Sequence, residues 1–252
     1  MESSIGSSQA SCGAEKKATI GMRKLQDMPE EFQATLPDIK WERFNTILLD
    51  MDGTVLDLAF DNYFWRELVP QVYAERQNIS EDAAREAIYD RYAGREGTLE
   101  WYCLDFWAEQ LDLDLMALKK ASRDRICFLP GAREFLHAVS ARNKRLVLVT
   151  NAHRQAMELK KSVVGLDEWF DEFVCSHDLG FPKEHLEFWH RLEALLGFDP
   201  PTTLFIDDSI PVLNTAVEYG LGAVIAVRRP DTGKPAKDTE GHHFVEGIAH
   251  LV

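Results

Sequence analysis

An apolar run that stops on two acids constrains this chain more than any other feature: Ile47-Leu48-Leu49-Asp50-Met51-Asp52-Gly53-Thr54-Val55-Leu56. Side chains alternate along a strand, so residues two apart share a face and Asp50 and Asp52 start out aimed alike. Gly53 lets the backbone turn sharply just after them. Like charges this close raise one pKa unless a cation intervenes, so the pair points to a divalent metal, an acid/base couple, or both. Asp-x-Asp-Gly also occurs in ordinary turns and in calcium loops. A calcium loop, however, needs a Glu about six residues past its Gly, where this chain has Ala59.

Three later segments also place chemistry next to short apolar runs. Arg145-Leu146-Val147-Leu148-Val149 ends in Thr150-Asn151, a hydroxyl and an amide just past a strand's carboxyl end. Open α/β sheets bind ligands there. Gly180-Phe181-Pro182-Lys183 brings a lysine directly before the helical pattern Leu186, Trp189, Leu192, Leu195-Leu196, beside a helix N-terminus suited to phosphate. Thr203-Leu204-Phe205-Ile206 ends in Asp207-Asp208. Each has a plain reading alone: Thr150 as a turn former, Lys183 as solvated surface, Asp207 and Asp208 as a helix cap. Their order and shared position at strand ends favour a common site.

With these four motifs in this order, the chain from about Phe44 onward resembles the haloacid dehalogenase superfamily, in its phosphatase branch. Longer stretches are similar to the purine 5′-nucleotidases that act on GMP and IMP: Asp57-Leu58-Ala59-Phe60-Asp61-Asn62-Tyr63-Phe64-Trp65, Trp101-Tyr102-Cys103-Leu104-Asp105, Thr150-Asn151-Ala152-His153 and Gly180-Phe181-Pro182-Lys183-Glu184. The resemblance implies an enzyme that hydrolyses small phosphomonoesters through an aspartyl phosphate. A phosphate dianion repels an incoming anion, so catalysis must come from charge neutralisation and in-line positioning. Asp50 is then the nucleophile and Asp52 the acid/base that protonates the leaving oxygen and later deprotonates water. Mg²⁺ suits the oxygen ligands, and the resemblance sets Asp50, the carbonyl of Asp52 and Asp208 around it, with Asp207 contributing directly or through water. Thr150 and nearby N–H groups would bind phosphoryl oxygens and Lys183 would offset charge. Asn151, Gly53 and Thr54 are the substrate-binding candidates.

The 252 residues, 45% of them hydrophobic, can bury a full core. A net charge of −14 argues against nucleic-acid polymers and anionic membranes as partners, but not against a small phosphorylated metabolite beside a local Mg²⁺ and Lys183. Cys12, Cys103, Cys127 and Cys175 lie far apart, without metal or redox spacing, which fits reduced thiols in a cytoplasm. No apolar run approaches the ~20 residues of a membrane span. Residues 1–39 read as a flexible polar arm, and Met22 or Met28 offers an alternative start.

The rest is expected to be α/β: a doubly wound parallel-sheet core at 40–58 and 128–252, interrupted by a helical cap at 59–127. The cap pattern predicts helices over Asn62–Gln77, from Ser80 as N-cap to Ala93, over Thr98–Leu111 and over Leu115–Ile126. Substrate choice belongs to such a cap, which is rich in aromatics: Tyr63, Phe64, Trp65, Trp101, Tyr102, Phe106 and Trp107. A purine could stack on one or two, but most read as packing. Asp61 and Asn62 could meet a ribose or base edge, with an N-cap role open for Asn62. His153 follows Thr150-Asn151 closely enough to touch substrate but reads first as a solvated first-turn residue, and Arg228 and Arg229 could meet a second anionic group but read first as surface. Phosphoglycolate or sugar-phosphate hydrolysis and phosphoglucomutase-type transfer use the same motifs. A receiver-like phosphoaccepting domain is the non-enzymatic alternative, but its acid pair precedes the phosphoaccepting Asp, whereas here Asp207-Asp208 comes last.

Overall fold

The computed structural model describes residues 39–251. The expected N-terminal arm therefore lies almost wholly outside the described residues.

Six short parallel strands form the centre: β1 (Thr46–Leu49), β2 (Arg145–Thr150), β3 (Glu172–Cys175), β4 (Thr203–Asp207), β5 (Ala223–Val227) and β6 (Phe244–Val245), in spatial order β3-β2-β1-β4-β5-β6. All adjacent pairs are parallel. Their near-continuous apolar sequences suit a sheet covered on both faces. The pleat sorts them: Ile47, Leu49, Leu146, Leu148, Leu204 and Ile206 enter one buried cluster, while Leu48, Val147, Val149 and Phe205 enter the other. Because β2 and β4 flank β1 on opposite sides, the strand order reverses at β1. The carboxyl ends of β2, β1 and β4 there form the crevice where such sheets hold ligands.

After β1, residues 59–127 make six helices, α1 (Ala59–Tyr63), α2 (Val69–Gln77), α3 (Glu81–Tyr92), α4 (Leu99–Tyr102), α5 (Leu104–Leu111) and α6 (Leu115–Ala121). They share an apolar cluster of their own, including Phe64, Tyr73, Ile88, Trp107 and Leu115. The expected four helices are broken for local reasons. The first starts at Ala59 because Asp57 Oδ1 accepts from its N–H at 2.9 Å, so Asn62 is interior and instead donates to Asp231 at 2.7 Å. Between α1 and α2 the helix widens into a π turn over Phe64–Leu68. Pro70 has no N–H for the Arg66 carbonyl, and Arg85 donates to that oxygen instead. At Cys103 the backbone is extended (φ −82°, ψ 110°) and its Sγ caps α5, splitting the third helix. Thr98 and Ser80 do cap α4 and α3 as expected. The fourth helix ends at Ala121 and passes into a 3₁₀ turn.

The remaining helices, α7 (Ala132–Ser140), α8 (Arg154–Val164), α9 (Ser176–Leu179), α10 (Leu186–Leu196) and α11 (Ile210–Tyr219), return the chain to the sheet. Phe135 and Leu136 of α7 and Met157 of α8 pack on one face; Trp189 of α10 and Leu213 of α11 pack on the other. None of the described helices is long and apolar enough to cross a membrane.

Candidate active site

Strand pairing continues past β1, with the Asp50 N–H donating to Ile206 O at 3.0 Å. That register sets Asp50 beside Asp207, the last residue of β4. Lys183, in the loop before α10, is buried at 2% exposure rather than solvated. Its ammonium reaches Asp50 Oδ1 at 2.5 Å, Asp207 Oδ2 at 2.6 Å and the Val149 carbonyl at 3.2 Å. Burial alone would lower its pKa; Asp207 and Asp50 more than reverse that and hold it above the ordinary lysine range. Burial raises Asp50 well above the usual carboxylate value despite Lys183, and raises Asp208 despite Lys237. Asp50, Asp207 and Asp208 each offer one oxygen within 4.8 Å of the others.

The two acids of the opening run do not share one cation. After β1 the chain turns, with Gly53 at φ 95°, and Asp52 Oδ2 pairs with Lys160 of α8 at 2.7 Å. Its Oδ1 is buried without a partner. Burial, opposed by Lys160, moves its pKa to about 6. Lys160 also holds Asp61 at 2.5 Å, and Asp61 holds Lys119 of α6 at 2.9 Å. Asp61 is thus locked between two buried ammonium groups rather than free for a ribose or base. Burial works against its charge, but Lys119 and Lys160 outweigh burial and depress its pKa.

Of the other expected residues, Thr150 and Asn151 line the same cavity of about 750 Å³ as Asp50, Asp52, Lys183, Asp207 and Asp208, whereas Gly53 and Thr54 are not among its lining residues. Thr150 Oγ1 accepts from the Ala152 N–H at 3.0 Å. The Asn151 amide is engaged at both ends, accepting from the Lys183 N–H and donating to Glu184, each at 2.9 Å. The Gly53 N–H donates to Leu56 O at 2.7 Å, and the buried Thr54 hydroxyl has no partner. Gly53 is required sterically: a Cβ there would meet Asp208 Cγ at 2.7 Å. His153 is not solvated but largely enclosed, 3.5 Å from Asp105 and edge-on to His177. Arg228 and Arg229 bind Glu246 at 3.0 and 2.5 Å, as surface residues.

Sequence reasoning missed Lys160, Lys119, Lys237 and Glu184. Lys237 reaches Asp208 at 2.6 Å from the loop after β5, and Glu184 accepts from the Tyr102 hydroxyl across to the helical insert. A signal existed for the first two. Lys160 falls in the same buried row as Ala156 and Met157, and Lys119 follows buried Leu115 by one turn, a placement that an unpaired lysine would not tolerate.

Comparison with known proteins agrees with this geometry. The model of the haloacid dehalogenase-like hydrolase family matches residues 44–217. The chain is 38% identical over 215 residues to the GMP/IMP nucleotidase YrfG of Escherichia coli, covering 85% of this chain and 97% of that protein. Among solved structures, a HAD phosphatase from Thermococcus onnurineus superposes with a TM-score of 0.69 at 23% identity, over 82% of this chain and 96% of that one. The HAD-hydrolase YfnB of Bacillus subtilis, bound to magnesium, gives 0.59 at 22% identity, over 83% and 97%. The chain belongs to the haloacid dehalogenase-like hydrolases and is a phosphomonoester hydrolase acting on a small phosphorylated substrate.

Proposed function

We propose that the protein is a Mg²⁺-dependent 5′-nucleotidase for purine nucleoside monophosphates, GMP and IMP first. The observation that carries this is the cluster of Asp50, Asp207 and Asp208 around buried Lys183, facing one large cavity shared with the helical insert. The kinship to a GMP/IMP nucleotidase over nearly the full length of that enzyme supports the substrate.

In this reading an Asp50 carboxylate oxygen attacks phosphorus, and the bond from phosphorus to the 5′-oxygen breaks as Asp52 delivers its proton to that oxygen. Asp52, now a carboxylate, takes a proton from water as the water oxygen attacks the aspartyl phosphate, releasing phosphate and restoring Asp50. Lys183 holds Asp50 in line and offsets its charge, and Thr150 is a phosphoryl-oxygen donor. Asn151 acts through its grip on Lys183 and Glu184. The carboxylates of Asp50, Asp207 and Asp208, hard oxygen donors packed against a residue with no Cβ, suit Mg²⁺. Bound there, the ion would neutralise phosphoryl charge. Residues 59–127 serve as the cap that closes the site from water, and the flanking segments as the catalytic core.

Phosphate release should be measured over GMP, IMP, AMP, pyrimidine nucleotides, sugar phosphates and phosphoglycolate, with and without Mg²⁺. GMP and IMP should lead, activity should vanish with chelation, and Asp50→Asn should abolish turnover while the protein stays folded. If GMP and IMP fall among the poorest substrates, the nucleotidase reading fails and a general phosphatase remains.

A further inference from the structure

The wall of the cavity built by the helical insert holds polar groups that nothing in the protein engages. Tyr92 lies edge-on to Trp65, Trp101 and Trp107, with ring centroids 6.4, 5.3 and 4.7 Å away. Its hydroxyl is nevertheless buried without a hydrogen-bond partner. Burial raises its pKa, so it stays protonated and able to donate. A buried hydroxyl left unsatisfied is costly, and one in a cavity wall can be satisfied by a ligand.

Two charges line the same cavity unpaired. The acids and lysines of the catalytic centre are matched to one another, as Lys183, Lys160, Lys119 and Lys237 each hold at least one aspartate. Arg66 and Glu96 also line the cavity, yet neither side chain has a hydrogen bond or ion pair among the described residues. The π turn sets Arg66 directly after Trp65, and Glu96 follows Tyr92 in the loop between α3 and α4.

We propose that Tyr92, Arg66 and Glu96 form the subsite that reads the nucleobase, and that it selects 6-oxopurines. The proposal rests on the nucleotidase reading above and names the residues that would set its specificity. A 6-oxopurine presents acceptors at O6 and N7 and a donor at N1–H, the complement of a guanidinium and a carboxylate. A 6-aminopurine has an acceptor at N1 and a donor at C6, so the same pair would face it with mismatched partners. The half-buried rings of Trp65 and Trp101 supply flat apolar surface for the base, and the Tyr92 hydroxyl supplies a further hydrogen bond.

The test is kcat/KM with Mg²⁺ for GMP, IMP, AMP and ribose 5-phosphate in the wild type, Glu96→Gln, Arg66→Gln and Tyr92→Phe. Arg66 and Glu96 are exposed, so their variants should fold even if Tyr92→Phe does not. The GMP-to-AMP ratio should fall roughly tenfold or more in Glu96→Gln and Arg66→Gln. The GMP-to-ribose 5-phosphate ratio should fall roughly tenfold in Tyr92→Phe, with the change carried by KM. A purely structural role lowers all substrates together. Ratios within about twofold of wild type in Glu96→Gln and Arg66→Gln therefore overturn the subsite, whatever the absolute rates. A wild-type enzyme that does not prefer GMP to ribose 5-phosphate instead overturns the nucleotidase reading itself.

Discussion

Gly53→Ala probes the link between the turn after β1 and the acid cluster. The native φ is 95°, a conformation that costs an L-residue ~1–2 kcal/mol. A Cβ would lie 2.7 Å from Asp208 Cγ, 2.8 Å from its Oδ1 and 2.9 Å from Pro230 Cβ. Carbon atoms settle about 3.5–4.0 Å apart, so Asp208 and Pro230 must recede by roughly 0.6–1.3 Å. Forcing packed atoms aside adds ~1–3 kcal/mol. The total, ~2–5 kcal/mol, corresponds at ~2–4 °C per kcal/mol to a fall in Tm of about 4–20 °C.

Activity should suffer more selectively than stability. Moving Asp208 by that much separates it from Asp50 and Asp207, and a displacement of about 1 Å in a catalytic array can cost ~100-fold. The assay is a Mg²⁺ titration of phosphate release alongside thermal unfolding. The half-saturating Mg²⁺ concentration should rise severalfold, with kcat/KM lower by roughly 10–100-fold even at saturation. A variant with a reduced Tm but wild-type Mg²⁺ dependence and turnover would refute the placement of Asp208 among the cation's ligands.

Lys160→Met removes the cation shared by Asp52 and Asp61 and should cost ~3–5 kcal/mol in urea unfolding at pH 7; a loss below about 1 kcal/mol would mean that the buried ion chain is not a stabilising element. Asp61 has a folded pKa below its unfolded value of about 4, so its contribution to stability is complete above that value and is lost as pH falls through the folded one. Between pH 7 and pH 3 the wild type should therefore lose more unfolding free energy than Asp61→Asn, and equal losses would remove Asp61 as the acid-sensitive group.

What could be read along the chain was whatever the chain repeats locally. Short continuous apolar runs marked β1, β2 and β4, and the polar residues ending them, Asp50, Thr150 and Asp207, do meet at the carboxyl ends of these neighbouring strands. Thr98 and Ser80 were legible as caps because a cap is a matter of three residues. The two-residue β6 was not, since it exists only through its pairing with Ala226 and Val227. Nor was the π turn, whose cause, Pro70, sits in a helical pattern and acts through an arginine 19 residues from the carbonyl it satisfies. Asp61, Lys119 and Lys160 form one buried ion chain although their contacts span 58 and 99 residues, so no window of sequence contains both partners.

That ion chain answers the electrostatic problem posed by the sequence. Two carboxylates two residues apart need either one shared cation or two separate ones, and the fold supplies two. Asp50 takes Lys183 from the loop before α10, and Asp52 takes Lys160 from α8. Each lysine is tied in turn to the helical insert: Lys160 through Asp61 of α1 to Lys119 of α6, and Lys183 through Asn151 and Glu184 to the Tyr102 hydroxyl of α4. Separate tethers allow the two acids to be held in different protonation states, as a nucleophile and a proton carrier require, because a charge change on one does not have to be absorbed by the other's partner. They also make the insert part of the electrostatics of the centre. A substitution in α1 or α6 that shifts Asp61 or Lys119 should alter the chemistry at Asp52 without touching substrate, whereas one at Arg66 or Glu96 should alter which substrate is chosen.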